Sequence, residues 1–388
     1  ADTTHRRLER IDYVVGSGQH TNSHLIMRNG YLYQAPVTWY VQERRWDLAP
    51  GFADWGNPRF GRWIGAECVT CHNHLPEQVP GSVNKYARMP LGIECERCHG
   101  PGSLHVEEKL AGIVVDTSRT ADLSIVNPRR LPRALQLDLC QRCHLQGIAV
   151  LRPGKTFYDF RPGMALDSVM QVWLPRYADS DARFIMASQA DRLRQSACFR
   201  ESDELTCLSC HNPHLSVRAT PRSRFNAACR KCHPGPPDQV CTAPADALRA
   251  AEGDCVRCHM PASGTTDIPH VRITDHRIGR ATARRHLFGE SPTTGKGFQE
   301  LKLLTRGRAT PLDRARAFLA LYDKYLPAPF ALDSAAWYLA RADAGAPLYT
   351  DVHIHLLFNR ADWQGLLAYA KRLRPEDVGD AWTAYRLG

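Results

Sequence analysis

Two thiols three positions apart, followed at once by an imidazole, recur six times along this chain. The sites are Cys68, Cys71 and His72; Cys95, Cys98 and His99; Cys140, Cys143 and His144; Cys207, Cys210 and His211; Cys229, Cys232 and His233; and Cys255, Cys258 and His259. Paired thiols at this spacing can each form a thioether to one vinyl group of a porphyrin, and the histidine that follows then lies beneath the iron as its proximal ligand. Zinc ribbons also use Cys-x-x-Cys, but they need no histidine directly after the second cysteine, and here every copy has one. A thioredoxin-like redox enzyme needs one such motif within a βαβ unit, not six in largely irregular sequence. The motifs therefore predict six covalently attached haem c groups as cofactors.

Each iron has a second face. Of the 17 histidines, eleven lie outside the motifs, and in a chain with this many irons histidine is the expected second axial ligand. His74 and His214 follow a motif too closely to reach round to the far face of their own haem, so each should serve a neighbour. His105 is placed similarly after Cys98-His99, His270 and His276 flank Ile273-Thr274-Asp275 beyond the last motif, and His20 and His24 precede the first. These seven are the candidate distal metal ligands. His286, His353 and His355 lie beyond the motifs and read as structural, and His5 belongs to the chain end. Methionine would raise the potential, but only Met260 is near a motif and it adjoins a proximal histidine. The expectation is low-potential, bis-histidine haems.

Two of the 14 cysteines remain over, Cys198 and Cys241. Haem attachment of this kind takes place outside the cytoplasm, where disulfides persist, so a Cys198–Cys241 bridge is expected. Ala1-Asp2 reads as a mature N terminus left after signal-peptide removal, giving a periplasmic or extracellular location. No apolar run approaches membrane-spanning length. The formal charge of +10 does not point to nucleic acid, because haem propionates are carboxylates that arginine forks match well.

The elements that must position these groups are modest. Residues 11–46 read as a small antiparallel meander: His24–Arg28 and Tyr31–Ala35 flank Asn29-Gly30, a strong hairpin signal, and Val37–Gln42 adds a third strand. Residues 62–280 alternate short helices with Pro and Gly turns and show little sustained periodicity, as expected of a domain whose core is porphyrin. A domain of about 200 residues has a radius of gyration near 16 Å, so six macrocycles inside it must lie nearly edge to edge. Leu312–Tyr325, Ala331–Ala340 and Ala361–Leu373 have helical spacing. The fold class is thus mostly α with much irregular structure, built around stacked haems, with domains at 1–61, 62–280 and 281–388, the last made of helical hairpins.

The runs CERCHGPGSLH (Cys95–His105), LTCLSCHNPH (Leu205–His214) and CVRCHMP with HVRITDHRI (Cys255–Ile278) resemble multihaem cytochromes related to the tetrahaem cytochrome of nitrifying bacteria, over residues 11–280. That resemblance implies a periplasmic or extracellular electron carrier with stacked haem pairs, and His105, His214, His270 and His276 as distal ligands. Six motifs against four in the namesake mean that haem order cannot be copied across. Asp362–Pro375 loosely resembles the second helix of a tetratricopeptide repeat. Some relatives keep a five-coordinate haem, though the CxxCK site of pentahaem nitrite reductases is absent here. The leading expectation is electron transfer between redox protein donors and acceptors. The alternatives are a subunit that self-associates into an extracellular cytochrome filament and a nitrogen-compound oxidoreductase with one open haem.

Overall fold

The computed structural model describes residues 6–53, 56–178, 185–280 and 297–388; His5 and His286 lie outside them. The chain divides into two compact units, one of residues 1–145, 161–165 and 182–289, the other of 146–160, 166–181 and 290–388.

The first unit opens with an antiparallel meander of four strands, β1 (Tyr13–Val15), β2 (Thr21–Arg28), β3 (Tyr31–Tyr40) and β4 (Arg45–Leu48), paired in chain order. Asn29 (φ 50°) and Gly30 (φ 84°) both take the left-handed conformation that a two-residue hairpin requires, which sets the Arg28↔Tyr31 register. The expected second and third strands are one continuous β3, and the sheet gains β1 and β4. Pro36 lies within β3 and has no N–H to give the ladder; the β2–β3 pairing is offset between Ser23 and Leu25, with His24 in the irregularity.

Leu25, Leu32, Ile64, Val69 and Tyr86 form a small core under this sheet. Val69 belongs to the first motif, so the meander holds the helix Ala66–His72 directly. At Gly65, where that helix begins, a Cβ would come within 2.9 Å of the Trp63 ring. A second cluster buries Tyr40 against Val271 and Ile273. There the hairpin Ala262–Gly264/Arg272–Thr274 follows the last motif. Gln42 clamps it: its Nε2 donates to Arg272 O at 2.8 Å and its Oε1 accepts from Arg272 N at 2.7 Å.

Elsewhere the first unit is short helices and turns with few buried apolar side chains. The motif helices Cys207–Cys210, Arg222–Arg230 and Cys255–His259 bury none of their residues. Leu104 and Val106 around the second motif are more than half exposed. Side chains alone do not fill this unit.

The second unit has a conventional core. A three-stranded antiparallel sheet, in the order Phe298–Leu303, Met170–Tyr177, Ile148–Leu151, packs under helices Pro311–Lys324, Pro329–Leu339 and Tyr349–Asn359. Two of its strands come from the middle of the haem-motif stretch. Thr310 and Asp313 form a reciprocal capping box at the first helix, with Pro311 in its first turn. Asp313 also takes Arg152 at 3.2 Å, tying helix to strand connection. The three expected C-terminal helices are present with edges shifted by a few residues, and Tyr349–Asn359 and Ala381–Leu387 are additional. His353 and His355 lie on Tyr349–Asn359, against Tyr369 (ring centres 4.3 Å apart) and Asp323 (2.9 Å) respectively. Leu321 is fully buried here. Leu321→Ala should cost about 2–5 kcal/mol by deleting buried methyl groups and leaving a cavity, read as a lower denaturation midpoint in far-UV circular dichroism.

Candidate haem-binding site

Five motifs lie wholly on, or at the end of, a short helix, Ala66–His72, Glu96–His99, Arg133–His144, Cys207–Cys210 or Cys255–His259; in the fifth in chain order, Arg222–Arg230 carries Cys229. One helical turn brings residues three apart onto the same face, so each pair of sulfurs projects side by side. None of the 12 motif cysteines is in a disulfide.

The histidines are oriented by their other nitrogen. The Nδ1 of His99 donates to Val126 O and that of His259 to Gly279 O, both at 2.8 Å. His276 Nδ1 donates to Thr274 O at 3.1 Å, and His144 Nδ1 lies 3.2 Å from Gln189 Oε1. His105 Nδ1 meets Ser124 Oγ at 2.9 Å. An Nδ1 proton held by a carbonyl fixes the tautomer and leaves the Nε2 lone pair for a metal.

Two pairs of imidazole rings lie nearly parallel with their centres close together. His99 and His214 have centres 5.9 Å apart with planes 10° from parallel, and His211 and His276 are 6.1 Å apart at 24°. Each joins a motif histidine to one outside the motifs. Imidazole nitrogens bind a transition metal in the plane of the ring at about 2 Å, and each ring centre lies roughly 1 Å behind its nitrogen, so two ligands of one ion have ring centres roughly 6 Å apart. Both centre separations match that value. Burial, then His211, pushes His276 down to about 4; burial also lowers His72, His211 and His20. Neutral imidazole is the form that ligates.

The residues at the second motif also fit the macrocycle. Cys95, His99, His105, Val106 and Ile125 line a cavity of about 620 Å³. A thiol, an oriented imidazole and bare apolar side chains around one space are groups that a thioether-linked porphyrin uses.

Buried polar contacts fix His276. Arg192 grips Asp275 with both ends of its fork, Nε to Oδ1 at 2.9 Å and Nη2 to Oδ2 at 2.7 Å, and both side chains are under 5 % exposed. Ser196 Oγ donates to His276 O at 3.3 Å and accepts from Ile278 N at 2.8 Å. Sequence reasoning missed Arg192, Asp275 and Ser196; the one available signal was the carboxylate adjoining His276.

The other candidates are placed variously. His24, in the β2–β3 irregularity, has Nδ1 3.4 Å from Val37 O and its ring 5.2 Å from that of Trp46. His20 Nδ1 lies 3.1 Å from Gln42 Nε2. His74 is buried, its Nδ1 without a hydrogen bond and its Nε2 3.6 Å from both Glu94 and Glu96. His233 is exposed. His270 differs from all of these: Nδ1 is 3.0 Å from Glu43 and Nε2 3.0 Å from Asp47. Both of its nitrogens are engaged by carboxylates.

The motif helices touch one another in a definite order. Ala66–His72 and Cys207–Cys210 both contact Arg133–His144, and Arg222–Arg230 contacts both Cys207–Cys210 and Cys255–His259. Arg97 of the second motif donates to Thr70 O of the first at 2.6 Å. The third motif thus neighbours the first and fourth, the fifth neighbours the fourth and sixth, and the second adjoins the first. The expected Cys198–Cys241 bridge is not formed. Both cysteines are free, and Cys198, on the short helix Ala197–Arg200, acts on Cys229. Their pairing rested on being left over, and a bridge needs a specific Cα separation that counting does not supply.

Comparison with known proteins bears on the same residues. The family "Doubled CXXCH motif" matches residues 199–236, and "Cytochrome c554 and c-prime" matches 61–100. The multiheme cytochrome MtrA of Shewanella baltica (strain OS185) is 23% identical over 182 residues, 43% of this chain and 51% of that protein. The chain thus spans about half the length of that curated relative. The crystal structure of the outer cell wall cytochrome OcwA aligns with a TM-score of 0.40 at 15% identity, covering 70% of this chain and 68% of that one. The motif chemistry and the two family matches make the chain similar, at these residues, to multihaem c-type cytochromes.

Proposed function

We propose that all six motifs carry haem c, that every iron has two histidine ligands, and that the set conducts electrons between a redox donor and an acceptor. The observation that supports this best is the pair of histidine couples at iron-spanning separation, His99 with His214 and His211 with His276. With His270 committed to Glu43 and Asp47, the remaining distal candidates are His20, His24, His74, His105, His214 and His276, six for six irons. Haem iron ligated on both faces exchanges single electrons without offering a site to substrate. Burial favours the neutral form of His20, His72, His211 and His276, and backbone carbonyls fix the tautomers of His99, His259 and His276 through Nδ1.

The contacts between motif helices favour a single route. The haem on the second motif would adjoin that on the first, which leads through the third, fourth and fifth to the sixth. We place the protein outside the cytoplasm, where thioether attachment is completed. No described helix is long and apolar enough to cross a membrane.

Intact-mass measurement should give the chain plus six haems, and electron paramagnetic resonance of the oxidised protein should show only low-spin iron. A high-spin signal, or binding of nitrite or nitric oxide by the wild type, would instead indicate an open, enzymatic haem. His214→Ala and His276→Ala should each convert one haem to high spin and create one carbon-monoxide site; an unchanged spectrum in both would sink the pairing. Asp275→Asn leaves Arg192 buried without its counter-charge, at a cost of about 3–5 kcal/mol. It should loosen His276 enough for cyanide to bind one haem at neutral pH, seen as a new Soret shift absent from wild type.

A further inference from the structure

A cleft of about 450 Å³ opens between the fourth and fifth motifs. Its walls include Leu208 and Ser209, the two inner residues of the fourth motif, and Arg230 and Lys231, the inner residues of the fifth. Arg224 on the same helix and Arg129 from a separate segment complete a set of four cations, and no carboxylate lines the space. All four are exposed, and none of their charged groups has an ion-pair or hydrogen-bond partner among the described residues. Arg222, at the start of that helix, shows the contrast by pairing with Asp254 at 3.3 Å.

The obvious internal claimants are haem propionates, and covalent chemistry argues against those of the two adjacent haems. Thioethers form at the vinyl-bearing pyrroles, and the propionates sit on the opposite two. A cleft walled by the inner residues of two Cys-x-x-Cys motifs faces the vinyl edge of both haems, so the cluster keeps its charge when they are attached. A pocket for a small anion is normally built from buried donors, whereas four exposed cations from two segments make a face that steers a larger negative surface.

We propose that this cleft is the docking site for an acidic one-electron carrier protein, which exchanges electrons with the haems of the fourth and fifth motifs. The inference rests on haem attachment at those motifs. Interfaces of this kind are small and polar, held more by charge than by area. In each transfer the carrier loses one electron, one ferric iron becomes ferrous, and no bond or proton moves.

The test is stopped-flow reduction of the fully haem-loaded, oxidised protein by fully reduced flavodoxin, an acidic carrier. The variants are R224E/R230E/K231E, a milder R224Q/K231Q, and the control K371E/R372E on the second unit. At low ionic strength the charge-reversed cleft should slow bimolecular reduction by about 10-fold or more and the milder variant by less, with the control at the wild-type rate. Near 1 M salt, where charges are screened beyond about 3 Å, the differences should vanish. Wild-type rates for both cleft variants at low salt would overturn the proposal. So would a loss that persists at high salt with shifted reduction potentials, which would mean that the cations hold propionates after all. Saturation of the low-salt effect by millimolar citrate at the cleft without competition against flavodoxin would assign it to a small anion and overturn docking. Haem content by intact mass separates these results from a failure of attachment itself.

Discussion

Under the proposed bis-histidine ligation, the need for a nitrogen on each face of an iron would order the first unit where a hydrophobic core otherwise does so. His99 and His214 belong to segments far apart in the chain, as do His211 and His276, yet each couple is brought to about the separation of two ligands on one ion. A metal bridge of this kind fixes two backbone segments at once, much as a disulfide does, and contributes folding free energy directly. It explains why three motif helices bury none of their own residues and why apolar side chains around the second motif remain bare. Short helices and Pro- and Gly-rich turns suffice when the macrocycle supplies the packing surface.

The polypeptide's own contribution is directional. Backbone carbonyls take the Nδ1 protons of His99, His259 and His276 and so choose which nitrogen is offered. The Arg192–Asp275 pair is as buried as the core residues Leu145 and Leu339, and its geometry is bidentate. A buried ion pair is weak evidence for stability, since desolvation consumes most of its attraction. Its place beside His276 accords better with registering one ligand than with holding up the fold. The second unit has no such need: Leu319, Leu321, Ala331 and Ile354 are packed as in an ordinary helical protein.

Legibility in the sequence followed the range of each interaction. The Cys-x-x-Cys-His spacing is local chemistry, and so is the Asn29-Gly30 turn, and both could be read directly. Helices such as Pro311–Lys324 showed through their period. The assignment of 148–160 and 166–177 to the second unit could not be seen, because Met170–Tyr177 joins it by pairing with Phe298–Leu303 across a long stretch of motif sequence. Tyr349–Asn359 was not legible, because His353 and His355 interrupt its apolar period. His270 and His276 were both candidate donors; the ion pairs of His270 with Glu43 and Asp47, from the other end of the unit, carry no local signal in the sequence. Cys198 and Cys241 were paired by elimination, and elimination carries no geometry.

Charge shows the same limit from the other side. A formal +10 is a property of the apoprotein, and six haems would bring about a dozen propionates, enough to cancel it. Net charge therefore predicts little about how the loaded protein meets a partner; only the local distribution does. Cations at the propionate edges of the macrocycles are consumed internally, while those at the vinyl edges are not, because the thioether linkage fixes which edge faces the motif helix. The Cys-x-x-Cys-His repeat thus decides more than where electrons are stored. By orienting each ring it also decides which of the chain's 50 lysines and arginines remain visible from outside.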